Sequence, residues 1–462
     1  MPVGETPAAP GQRRSWTAPR VFAVLGMVYG LALVVVTPPF GSPDEQIHLA
    51  RAYLISEGHF RVPGQAPGTE AFVPRSIAVL FKRMAHSKPA RPPTTFRASE
   101  LSRTLRQPLN PESRVQAGYL GAHGPVAYAP QALAVFLARI PEASPALLMY
   151  LGRLSNLLAY LVAGTLAIAW APLRKWALCL LLLAPMPLAQ AASLSADAPT
   201  NALAVLFTAA VWRSLFGQPP RIGRFEQVFL VLASALFALT KPGYWPLAAL
   251  VLLIPGSRFR DRRERLLLCS AVLLAALLPS LLWLLDARSV EPVPASPDTD
   301  PEEQLLFILR SPIGYLRIAL CTLAGGWVDY ARTLVGVLGH LNIPLPGALY
   351  LVYPLALVAA AMADPRDPEE LSPWRRIALA AIALACVGCV FTMAYLGWNP
   401  VGAATISGVQ GRYFVPVLPL ALLVLPAAGG RLPQGAQAWG ATALAALSLS
   451  LAVSSVWAAF FS

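Results

Sequence analysis

Long uninterrupted apolar runs constrain this chain more than any other feature. Val21–Val36, Trp176–Ala192 and Leu266–Leu285 are nearly free of charge. A bilayer core takes about 20 mostly apolar residues per helix, with about 17–25 as the usual range. Only 13% of the residues are charged, against about 25% in a soluble domain. With 56% hydrophobic residues and a mean hydropathy of +0.57, a disordered chain is excluded and an ordinary soluble enzyme is disfavoured. The expected fold is all-α, a polytopic transmembrane helical bundle.

Hydropathy and the Lys/Arg distribution must agree on one topology. Spans are expected near 21–37, 150–171, 176–193, 199–216, 226–240, 243–256, 266–285, 346–363, 376–397, 413–428 and 438–460, eleven in all. With the amino terminus inside, Arg13, Arg14, Arg20, Arg174, Lys175, Arg213, Arg221, Arg224, Arg258, Arg260, Arg262, Arg263, Arg265, Arg366, Arg375, Arg376 and Arg431 fall on the inner side. The short outer turns hold only Lys241 and Arg412. Residues 1–20 then form a cytoplasmic basic tail and 21–462 a membrane domain. Two long outer segments, 38–149 and 286–345, belong to that domain. The apolar stretch 126–139 is short for a span and reads as a helix along the outer surface. Residues 313–340 carry Arg317, Asp329 and Arg332, which argue against a simple lipid-facing span.

The net charge of +13 comes from 36 Lys+Arg against 23 Asp+Glu. In such a chain it points to inner loops and anionic lipid, and not to nucleic acid. The five cysteines, Cys179, Cys269, Cys321, Cys386 and Cys389, all lie in apolar stretches. They imply no disulfide-rich external domain. The segment from Arg20 onward lacks a small-residue cleavage site and reads as a first membrane helix rather than a signal peptide.

Several polar residues lack a membrane rationale. Ser42-Pro43-Asp44-Glu45-Gln46-Ile47-His48 follows the first run directly. Asp44 and His48 are four apart and share a helical face. Such a pair can act as a general base or bind a divalent metal. A helix cap with Ser42 and Pro43 explains the acids equally well. Asp197, in Ser193-Leu194-Ser195-Ala196-Asp197-Ala198-Pro199, is a second acid or another helix cap. Lys241, in Thr240-Lys241-Pro242-Gly243-Tyr244, needs an anionic partner or room to snorkel. Arg412, in Gln410-Gly411-Arg412-Tyr413, can hold a phosphate in two-point fashion. Arg153 either snorkels or reaches a buried anion. His123-Gly124-Pro125 precedes the surface helix. Together these residues suit an anionic, lipid-linked substrate.

Taken as a set, Ser-Pro-Asp-Glu-x-x-His at 42–48, His-Gly-Pro at 123–125, Ser-x-Asp at 195–197, Thr-Lys-Pro at 240–242, Gly-Gly-Trp-Val-Asp at 325–329 and Gln-Gly-Arg-Tyr-Phe-x-Pro at 410–416 resemble a bacterial membrane-protein family known as a domain of unknown function. That family is placed near the GT-C membrane glycosyltransferases, and the likeness runs from about 21 to 428. The resemblance implies transfer of a sugar from a polyprenyl-phosphate donor to a cell-envelope glycan or lipid on the outer face of the cytoplasmic membrane. It implies Asp44, with Glu45 beside it, as the acid that activates the acceptor or binds a metal, Mg or Mn. Asp197 is the implied second carboxylate and metal ligand. Lys241 and Arg412 are implied near the donor phosphate. His48, His123, Arg153, Tyr244, Gln410 and Tyr413 complete the expected substrate-binding set. The rival expectations are a non-enzymatic transporter or flippase of lipid-linked glycan, or a scaffold in envelope assembly.

Overall fold

The computed structural model describes residues 16–61, 70–84, 98–117, 123–140, 143–217, 221–288, 298–364, 371–427 and 434–461. The expected positions of Arg13, Arg14, Arg366 and Arg431 lie outside these residues. In chain order the helices are α1 (Ala18–Val36), α2 (Glu45–Ser56), α3 (Arg75–Met84), α4 (Ala98–Leu105), α5 (Ala129–Arg139), α6 (Pro145–Trp170), α7 (Lys175–Leu183), α8 (Pro185–Ala191) and α9 (Asp197–Phe216). They continue with α10 (Arg224–Thr240), α11 (Arg262–Arg288), α12 (Pro301–Arg310), α13 (Pro312–Gly325), α14 (Trp327–Val335), α15 (Leu349–Met362), α16 (Pro373–Trp398), α17 (Leu418–Val424) and α18 (Gln434–Phe461). A 3-10 segment, Pro242–Leu253, follows α10. The described residues also hold two short antiparallel ribbons: β1 (Phe72–Pro74) with β2 (Arg114–Gln116), and β3 (Val337–Leu338) with β4 (Ile343–Pro344).

The fold is all-α in substance, but the expectation of eleven spans is not met. Among the described residues, five helices are long and apolar enough to cross a membrane: α1, α6, α11, α16 and α18. A sixth is reached only if α12 and α13, bent by 106° at Ser311, count as one. Proline and polar residues account for most of the difference. The run expected at 176–193 breaks at Ala184–Pro185 into helices of nine and seven residues. Pro185 cannot continue the ladder of α7 and instead starts α8. The run at 243–256 forms a 3-10 segment with Pro246 inside it. The run at 346–363 becomes a helix of 14 residues with Pro354 inside it. Helix α9 has 20 residues, but Thr200, Asn201, Thr208 and Arg213 dilute its hydropathy. It lies at the centre, with nearly every residue buried. Its neighbours α6, α8 and α10 pack around it.

A buried ion pair joins the first span to the rest. Arg153 of α6 and Glu45 of α2 are both fully buried. Arg153 Nε donates to Glu45 Oε1 at 2.8 Å and an Nη to Oε2 at 2.6 Å. The remaining donors reach the carbonyls of Val34, Thr37 and Pro38 at 3.3, 2.6 and 2.9 Å. These carbonyls lie at and just beyond the end of α1, where acceptors lack helical partners. Glu45 in turn accepts from the backbone N–H groups of Leu194 and Ser42 at 3.3 and 3.4 Å.

Other arginines close helix ends elsewhere. Arg174, fully buried, donates to the carbonyls of Ala361 and Leu425. Its backbone N–H donates to Asp364 at 2.5 Å. Arg258 donates to the carbonyls of Leu215 and Gly217 behind α9, and Arg376 donates to that of Val424 behind α17.

Removing one partner of a buried pair leaves the other charge uncompensated, at a cost of about 3–5 kcal/mol. Arg153→Met and Glu45→Gln are each expected to lower the thermal midpoint of the detergent-solubilised protein. A double variant should lose less than the sum of the two. Additive losses in that cycle would show that the pair is not coupled.

Candidate functional site

The polar motifs converge at the end of the bundle where α1 stops and α9 begins. Phe40 and Asp44 both adopt left-handed backbone, with φ of 62° and 58°. Asp tolerates this region better than most residues. Asp44 occupies the N-cap position of α2, yet its side chain forms no cap hydrogen bond. The capping explanation for Asp44 therefore fails. Its carboxylate is exposed, with no hydrogen bond or ion pair among the described residues.

Asp44 stands at a cavity of about 80 Å³ also lined by His48, His123, Gln190, Asp197, Lys241, Arg412 and Tyr413. A water needs about 10–15 Å³ by this measure, so a phosphate-sized group fits inside. The β3–β4 turn supplies Leu338, Gly339 and Leu341 to the wall.

Asp197 anchors the inner part. Gln190 Nε2 donates to Oδ2 at 2.7 Å and Lys241 Nζ to Oδ1 at 3.2 Å. Arg412 Nε lies 3.5 Å from Oδ2. Burial alone would raise this carboxyl, but Lys241 and Arg412 overcome it and hold it well below the usual carboxylate range. Asp197 does not cap α9: the N-cap is Ala196, and its side chain is turned to the cations instead. The ammonium of Lys241 also lies 3.8 Å from the centre of the Tyr413 ring.

The two histidines face each other edge-on, with centroids 6.3 Å apart. His48 Nδ1 is 2.9 Å from the Tyr128 hydroxyl. Burial, and the neighbouring His123, push His48 down to about 4. Burial, and then Lys241, push His123 down to about 4. Both rings are neutral at pH 7. The charged groups at the inner end are thus two cations and one carboxylate, a net positive site for an anion.

Two motif glycines make this convergence possible. A Cβ on Gly124 would lie 1.8 Å from the carbonyl oxygen of Leu239, so glycine lets His123 approach the end of α10 next to Lys241. A Cβ on Gly411 would lie 1.7 Å from the carbonyl oxygen of Tyr330. Glycine there presses Arg412 against α14, with the Gly411 N–H donating to Thr333 at 2.8 Å.

Some expected site residues lie elsewhere. Glu45 is consumed by Arg153, and neither lines the cavity. They position Asp44 and the 193–197 turn. Tyr244 donates to the Tyr413 carbonyl at 2.7 Å and so fixes the backbone beside Arg412. Gln410 lies beside the cavity and not in its wall. Asp329 of the Gly-Gly-Trp-Val-Asp motif is exposed and 3.9 Å from Arg332, away from the cavity. The residues missed were Gln190 and Asn156. Asn156 Nδ2 donates to the carbonyls of Ser193 and Ser195 at 2.8 and 3.1 Å, tying the Asp197 turn to α6. Both are polar residues inside apolar helices, and that was their available signal.

A divalent metal does not fit Asp197. Both its oxygens face donors, and two of the three donors are cations. Among the described residues no three or more His, Cys, Asp or Glu side chains are grouped to hold an ion.

The architecture and its buried charged site define a polytopic helical membrane protein. Residues 27–421 match a family described as predicted membrane protein, DUF2142. The chain belongs to that family, whose function is unknown. No curated protein and no solved structure matches it.

Two measurements check the site. The unfolded chain takes up protons on His48 and His123 near pH 6.5, while the folded chain resists until about 4. Stability should therefore fall as pH drops from about 6.5 to about 4, by up to about 1.4 kcal/mol per pH unit for buried His48 and less for partly exposed His123. Thermal midpoints of wild type and His48→Asn across that range test this, and equal slopes would refute it. Mg²⁺, Mn²⁺ and EDTA should each leave the midpoint unchanged. A rise with either metal would return Asp197 to the role of ligand.

Proposed function

We propose that the protein is a membrane glycosyltransferase. It moves a sugar from a polyprenyl-phosphate donor to a cell-envelope glycan or lipid acceptor. The reading includes kinship with the GT-C enzymes, a cytoplasmic amino terminus and a site on the outer face of the cytoplasmic membrane. One arrangement supports it most: the unpaired carboxylate of Asp44 shares a cavity with the cations Lys241 and Arg412.

Each group then has a step. The acceptor hydroxyl gives its proton to Asp44 as its oxygen bonds to the anomeric carbon. The bond from that carbon to the phosphate oxygen breaks, and its electron pair stays on the phosphate. Lys241 and Arg412 stabilise the added charge. A single displacement of this kind inverts the anomeric configuration. Asp197 keeps the two cations together while the donor is absent. His48 and His123 offer neutral nitrogens as hydrogen-bond partners for hydroxyls. The donor's lipid chain and most of its sugar lie outside so small a cavity, and the acceptor is met by the outer segments 38–149 and 286–345.

Asp44→Asn is the deciding variant, since asparagine also tolerates left-handed backbone and only the charge is lost. It should keep the wild-type thermal midpoint and lose about 10²–10⁴-fold in turnover of polyprenyl-phosphate sugars, followed by mass spectrometry in membranes. Wild-type turnover by the variant would remove Asp44 from the chemistry. Donor that binds to wild type and is never consumed would favour transport or scaffolding.

A further inference from the structure

A second cavity lies at the opposite end of the central helix. It encloses about 250 Å³ and is lined by Trp170, Arg213, Phe225, Glu226, Phe229 and Leu230, with Ala210 at its base. Arg213 is 16 residues after Asp197 on α9, about 24 Å along the helix axis. Trp170 is the last residue of α6, one of the five candidate spans. From Arg153 to Trp170, α6 advances about 26 Å, close to the thickness of a hydrocarbon core. The two cavities are therefore separated along the helix axes by a distance close to one hydrocarbon-core thickness.

The chemistry of the second cavity differs from the first. Trp170 and Phe229 meet edge to face at 4.8 Å, and Phe225 stacks on Phe229 at 6.4 Å. The Arg213 guanidinium lies 5.7 Å from the centre of the Trp170 ring. Glu226 lines the same space. Neither Arg213 nor Glu226 forms a side-chain hydrogen bond or ion pair among the described residues. Helix-end electrostatics favours an arginine at the end of α9 and an acid at the start of α10. That preference does not account for the cavity or for its three rings. Phe225 and Val228 are 69% and 58% exposed, so the pocket borders an exposed apolar face.

We propose that this pocket holds the head group of an amine-bearing phospholipid. The phosphate pairs with Arg213, whose planar fork suits it. The ammonium lies between Glu226 and the aromatic faces, which attract cations. The acyl chains run along Phe225 and Val228. A purely anionic head would pair with Arg213 but leave Glu226 uncompensated, and a purely apolar ligand would bury both charges unpaired. This inference stands apart from the glycosyltransferase reading.

The full-length protein in nanodiscs of equimolar phosphatidylethanolamine and phosphatidylglycerol provides the test. Native mass spectrometry counts the retained lipids. Wild type should retain phosphatidylethanolamine in preference. Arg213→Ala should lower that retention about tenfold or more. Arg213→Lys keeps the charge, should retain part of it, and serves if the alanine variant misfolds. Glu226→Gln should keep lipid but lose the preference for the amine. Preferential retention of phosphatidylglycerol by wild type would overturn the proposal. So would retention that ignores the head group, or retention unchanged in both Arg213 variants.

Discussion

Five donors on one guanidinium organise the cavity end of this protein. Arg153 joins three carbonyls at the end of the first span to a carboxylate of the next helix. The carboxylate also holds the backbone of Leu194. One turn along α6, Asn156 ties the carbonyls around that same turn. The three pieces that frame the cavity are thus referenced to two neighbouring side chains of one helix. Both charges are fully desolvated, so the arrangement stands only because every Arg153 donor has an acceptor. Glu45 is rigid for the reason that its neighbour Asp44 is free: one acid holds the backbone in place while the other is held out, unpaired, over the cavity.

Bringing Lys241 and Arg412 into one small cavity is unfavourable without a ligand. Asp197 removes that difficulty by accepting from Lys241 and forming an ion pair with Arg412 at 3.5 Å, and Gln190 fixes its orientation. The two histidines could have added positive charge, but burial keeps them neutral. Around Asp197 the cavity keeps a modest positive excess, and Asp44 adds a second carboxylate to its lining. The donors that an anion could use are therefore already in place.

Much of this was legible in residue order. Asp44, Asp197, Lys241 and Arg412 stood out as lone polar groups at the ends of apolar runs, and they meet in one cavity. Asp44 and His48, four residues apart, line it together. What could not be read was pairing over long separations. Glu45 looked as reactive as Asp44 because Arg153 is 108 residues away. Glycine in His-Gly-Pro and Gln-Gly-Arg gave no hint of the carbonyls of Leu239 and Tyr330 that demand it. Span counting failed for a related reason. Hydropathy registers apolar surface but not whether lipid or protein covers it; Pro185 cuts one run that was apolar enough, and Pro246 lies in a run that forms a 3-10 segment.

The arginines that close helix ends bear on how such a chain enters its membrane. In the nascent chain, Arg174, Arg258 and Arg376 are ordinary basic loop charges, available to bias which way the flanking segments insert. After folding, their donors are taken up by carbonyls of Ala361, Leu425, Leu215, Gly217 and Val424. Their influence on orientation is therefore confined to biogenesis. Those acceptors are made before Arg258 and after Arg376, and for Arg174 they come 187 and 251 residues later. Insertion can be decided early and fastened late, by the same side chains.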